Sequence, residues 1–174
     1  LPLNKNDFEE IDFTKNIVAI APGGTNNILG EHPLRKWPVE NYIEIGKKEG
    51  GEIYQTECSL PKKGNWCPPT LFLNVSQSHT IVKEEIFGPV LAIQTFRTID
   101  EVIEKANNTP FGLSAGVWTE KGSKIFKLTK ELNAGVVWAN TYNKFDPSSP
   151  FGGFKESGMG REGGLHGLKS YLKF

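Results

Sequence analysis

The sequence predicts an α/β fold, a largely parallel sheet with flanking helices, and three observations carry that expectation. From Val90 to Ala139 the chain reads strand, helix, strand, helix, strand, the rhythm of an α/β unit. The helices in that run carry boundary signals: Thr98-Ile99-Asp100-Glu101 fits S/T-x-x-E, and Gly135 lies just past the second helix. The segment after the last strand, Asn140 to Gly164, is long, glycine-rich and irregular. In α/β folds ligands bind in the loops at the carboxyl ends of strands, so function is expected there.

In chain order, the apolar run Ile17-Val18-Ala19-Ile20-Ala21 predicts a short buried strand ended by Pro22-Gly23-Gly24. Pro38 reads as a first-turn proline for a helix with Val39, Tyr42 and Ile43 on one face, closed by Gly50-Gly51. Glu52 to Gln55 can form a strand, residues 56–66 a loop, and Thr70 to Val75 the next strand. Val90 to Phe96 is rich in β-formers and runs into the capping box. The following helix puts Val102, Ile103 and Ala106 on one side. Leu113 to Thr119 predicts a strand, Ser123 to Leu132 a helix with Ile125, Leu128 and Leu132 aligned, and Val136 to Ala139 a strand.

The chain has 174 residues, enough for one domain with a sizeable core. Lys plus Arg and Asp plus Glu are 20 each, so the net charge is zero and no basic excess points to nucleic acid. No apolar run is long enough to span a membrane, and the first residues lack the layout of a secretory signal. Cys58 and Cys67 do not make a disulfide framework; free thiols in a reducing, cytoplasmic compartment are expected. His32, His79 and His166 stand at no zinc-ligand spacing from a cysteine, and no metal site is expected.

Gly158-Met159-Gly160-Arg161-Glu162-Gly163 spells G-x-G-x-x-G, the dinucleotide fingerprint. That fingerprint works where a strand feeds a glycine turn and then a helix, with an acid about 20 residues on to bind the ribose. Phe154-Lys155-Glu156-Ser157 is a poor strand, and the sequence ends 11 residues after Gly163. The glycines are therefore expected to serve backbone conformation and close packing.

Four stretches taken in order carry a family resemblance: KEEIFGPV (83–90), ANNTPFGLSAGVWT (106–119), AGVVWAN (134–140) and SPFGGFKESGMGRE (149–162). They resemble the C-terminal part of the catalytic domain of aldehyde dehydrogenases, from about residue 39 to the end. The tail REGGLHGLKSYL is closer to the family-16 branch. Residues 1–38 stay unassigned apart from one strand, and 39–174 read as the partial domain.

The resemblance implies NAD- or NADP-dependent oxidation of an aldehyde to a carboxylic acid. In the family a cysteine thiolate attacks the aldehyde, hydride passes to the nicotinamide, and a glutamate activates the hydrolytic water. Glu85 matches the family carboxylate that holds the nicotinamide ribose, and Phe87 the aromatic beside the nicotinamide. A carboxylate suits a diol because its two oxygens accept from both hydroxyls. Phe145 and Phe151 match two aromatic positions of the aldehyde tunnel, and Asn140 a residue facing the site.

The departures matter as much. The motifs of the nucleophilic cysteine, the general-base glutamate and the oxyanion asparagine are not in this sequence, so no catalytic residue is assigned. Cys67 aligns with an apolar family position and reads as a small packed hydrophobe. Lys15 to Gly24 reads as strand into turn, because it lacks the helix start and acid of a cofactor region. The family's long terminal strand should follow Tyr171-Leu172, where only Lys173-Phe174 remain, and Leu1 is no natural initiator. The expectation is a piece of a dehydrogenase whose partners are the aldehyde and the remaining segments or subunits. Alone it should not oxidise aldehydes. The alternatives are a non-catalytic binding or assembly module and a standalone nucleotide-binding domain; the missing phosphate loop argues against the latter.

Overall fold

The computed structural model describes residues 17–20, 38–55, 57–64 and 66–173. They fall into two compact units, one ending at Arg97 and the other beginning at Thr98.

The first unit is built on a four-stranded sheet in the order β1 (Ile17–Ile20), β4 (Val90–Thr95), β3 (Thr70–Leu73), β2 (Glu52–Gln55). Its pairing is mixed. The β3–β4 ladder is parallel, with Phe72 opposite Ala92, whereas β1–β4 and β2–β3 are antiparallel. The expected α/β class with flanking helices holds, but this sheet is mixed rather than largely parallel: β2 and β3, joined through residues 56–69, pair antiparallel, and the α2-bearing connection returns β4 parallel to β3.

Strand periodicity explains the core. Thr70 and Phe72 on β3, with Val90, Ala92 and Gln94 on β4, alternate into the interior, and Phe72 is fully buried. Ile43 from α1 (Val39–Lys48) and Ile81 and Val82 from α2 (Thr80–Lys83) cover that face, joined by Val75 and Ile86. Pro38 sits at the N-cap of α1 with φ −54°, one position before the first turn. The Glu49 carboxylate at the end of α1 accepts from Thr80 N and Thr80 Oγ1, both at 2.7 Å, and so caps α2. Buried Gln94 donates to Val75 O at 2.9 Å and accepts from Gln77, which satisfies its amide.

The second unit contains α3 (Ile99–Asn107), β5 (Phe111–Gly112), β6 (Ser114–Val117), α4 (Gly122–Glu131), β7 (Val136–Ala139), β8 (Phe154–Lys155) and α5 (Gly164–Lys169). β6 and β7 pair in parallel across the α4 crossover, the arrangement the sequence predicts; β5 and β8 pair antiparallel. Thr98 caps α3 by accepting from Glu101 N at 3.1 Å, and Val102 and Ile103 are buried beneath it. The Asn107 side chain ties two helix ends together: Nδ2 donates to Glu131 O and Oδ1 accepts from Asn133 N, each at 2.8 Å. On α4 no residue is fully buried, so its apolar side is only half covered.

Candidate functional site

The turn after α2 carries the first pair of expected site residues. Ile86 and Val90 are buried and fix its two ends, and Thr70 N donates to Pro89 O at 2.8 Å. Glu85, just before Ile86, and Phe87, just after it, remain half-buried. Phe87 has φ 54°, the left-handed region that a bulky side chain enters at a cost of about 1–3 kcal/mol. Glu85 thus places a half-buried carboxylate two residues before the half-buried Phe87 ring.

The second group lies in the other unit, at the carboxyl ends of β6 and β7. Phe145 and Phe151 meet edge to face, with centroids 5.0 Å apart. Phe145 also meets Trp138 at 5.4 Å, Trp138 meets Tyr142 at 4.8 Å, and Tyr142 stacks on Trp118 at 6.4 Å. Such pairs contribute about 0.5–1.5 kcal/mol each beyond area burial. Trp138 Nε1 donates to Lys144 O at 2.8 Å, which folds the loop back over β7. The two phenylalanines are thus brought together, at one end of a five-ring chain that sequence reasoning missed. Trp138, in register on β7, was the visible signal; its partners on the loop were not.

Asn140, expected to face the site, has its side chain bound to Thr119. Its φ is 54°, its N donates to Val117 O at 2.7 Å, and its amide is engaged twice by Thr119. Oδ1 accepts from Thr119 N at 2.9 Å and Nδ2 donates to Thr119 O at 3.1 Å. The side chain extends the parallel ladder by one rung and locks the strand ends beneath the aromatic loop.

Within that loop Asp146 Oδ1 accepts from Ser148 N at 2.8 Å and Ser148 Oγ at 2.6 Å. These hydrogen bonds hold the Asp146 carboxyl below the ordinary aspartate value, the side-chain bond contributing most. The fingerprint glycines are turn formers: Gly158, Gly160 and Gly163 have φ of 113°, 85° and 74°. A Cβ on Gly163 would stand 2.6 Å from Ser149 O, so the motif seats the chain against its own loop.

Cys67 is half-buried against the first unit's core, its Sγ 3.6 Å from Pro68 O. Burial, then the Glu40 carboxylate, push its thiol up, opposite to the shift an activated nucleophile needs. Among the described residues no three His, Cys, Asp or Glu side chains are grouped to hold a metal ion. No described helix is long and apolar enough to cross a membrane.

The aldehyde dehydrogenase family profile matches residues 35–174. This chain belongs to the aldehyde dehydrogenase family. It is 49% identical over 136 residues to the putative aldehyde dehydrogenase DhaS of Bacillus subtilis (strain 168), covering 78% of this chain and 27% of that protein. It is 50% identical over 131 residues to aldehyde dehydrogenase 1A1 of Gallus gallus, covering 75% and 26%. Among solved structures, the NAD+ complex of the Bacillus cereus aldehyde dehydrogenase superposes with a TM-score of 0.72 at 48% identity, covering 78% of this chain and 28% of that one. The chain therefore spans just over a quarter of the length of these relatives. The family-16 likeness of the tail adds nothing to this placement.

Proposed function

We propose that this chain is the C-terminal part of the catalytic domain of an NAD(P)-dependent aldehyde dehydrogenase, supplying one wall for the cofactor and one for the aldehyde. The observation that carries the reading is the strained turn Glu85-Ile86-Phe87, which holds a half-buried carboxylate and an aromatic ring on one short segment. Its 48% identity to a dehydrogenase solved with NAD+ supports the same assignment. Glu85 accepts from the two ribose hydroxyls, and Phe87 flanks the nicotinamide. NAD(P), when bound, supplies the hydride acceptor.

Phe145 and Phe151 wall the aldehyde's approach and keep bulk water from the reacting carbon. Asn140 is a positioning residue here, holding the strand ends that carry the wall. The nucleophile, base and oxyanion donor come from the remaining segments of the enzyme, which with the aldehyde are the chain's partners. Residues 39–174 form the family part, and the free thiols Cys58 and Cys67 suit a reducing cytoplasm.

A chimaera tests this. Residues 38–173 replace the matching segment of the Bacillus cereus enzyme, and NADH formation is followed with a panel of aldehydes. The chimaera is expected to turn over, and Phe151→Ala to raise KM for aldehyde without raising KM for NAD. The 174-residue chain alone is expected to form neither NADH nor NADPH. Turnover by the chain alone, abolished by Cys67→Ser, would overturn the reading.

A further inference from the structure

Lys155 adopts φ 56°, a conformation that glycine or asparagine ordinarily supplies. Its side chain does what glycine cannot. Lys155 Nζ donates to Asn107 O at 2.8 Å and Thr109 O at 2.9 Å, carbonyls at and just past the end of α3, where a cation also meets the negative end of the helix dipole. Asn107 is the residue whose side chain joins the ends of α3 and α4.

The segment around Lys155 is seated on every side. Phe151 and Glu162 exchange two backbone hydrogen bonds, at 2.7 and 2.8 Å. Gly135 lies so close to Gly152 that a Cβ on it would stand 1.6 Å from Gly152 O. Arg161 Nη1 donates to Gly153 O at 2.8 Å and Gly160 O at 2.6 Å, and its guanidinium lies 4.6 Å over the Phe154 ring.

We propose that Lys155 is a positioning residue for the aldehyde wall: its ammonium, clamped by the end of α3, fixes the 151–162 segment so that Phe151 meets Phe145. This rests on the reading of those two rings as the wall. An unchanged aldehyde KM in the Phe151→Ala chimaera defeats that reading, whereas the anchor is tested separately by hydrogen exchange on the 174-residue chain.

In Lys155→Met, the amides of residues 149–163 are expected to exchange roughly 10-fold faster, with residues 114–139 of the same unit unchanged. Lys155→Arg should restore slow exchange, because a guanidinium also reaches two carbonyls. Lys155→Gly should behave as Lys155→Met, although it relieves the backbone. Unchanged exchange in Lys155→Met, slow exchange in Lys155→Gly, or equal acceleration in 114–139 would each overturn the proposal.

Discussion

Phe87, Asn140 and Lys155 share a left-handed backbone, with φ from 54° to 56°, and each is tied to the elements proposed to build the site. None of these conformations is legible in sequence, because φ > 0 at a residue other than glycine is imposed by tertiary contacts. The sequence singles out Glu85, Phe87 and Phe151 through the motifs that hold them, and Phe145 through its place in the resemblance alone. The amide of Asn140 was not, since its partner Thr119 is 21 residues away. Asp146 gives a test at this scale. Its folded-state carboxyl titrates below the unfolded value, so its contribution is present above the unfolded value and is lost as pH falls through the folded one. Ser148→Ala removes the larger of the two hydrogen bonds. A carbon-detected NMR titration should then show the Asp146 pKa moving up toward the ordinary aspartate value.

Elements with strong local signals were the legible ones. The Thr98 capping box, the Val102–Ile103 face and the β6–α4–β7 crossover follow from periodicity and caps. Three kinds of element were not. α2 has four residues, too few to show a helical period. β5 and β8 have two residues each and pair Phe111 with Lys155, a contact across the whole unit. α5 is hidden by Gly164 and Gly167, which read as loop. Strand direction also escaped, because rhythm fixes the elements and only connection geometry fixes parallel or antiparallel pairing. For α3, Thr98→Ala should lower stability by about 1 kcal/mol, the usual worth of an N-cap, measured by urea denaturation of the chain. No change would show that the cap contributes nothing to α3.

At the scale of the molecule, the chain spans about 27% of the relative DhaS, and the proposed function gives it two walls of a site whose chemistry lies elsewhere. The proposed cofactor turn lies in one unit and the aromatic loop in the other, each held by contacts within its own unit. Exposed apolar residues fit this: Trp118, Phe126 and Leu165 are 63%, 78% and 64% exposed, as expected where further segments of an enzyme pack. Under the proposed function Glu85 holds the cofactor's ribose. The most direct measurement is KM for NAD in the chimaera carrying Glu85→Gln. Hydrogen bonds to a charged group contribute ~1.5–3 kcal/mol, so KM for NAD should rise roughly 10-fold or more while KM for aldehyde stays the same. An unchanged KM for NAD, with the variant folded, would show that Glu85 does not hold the ribose.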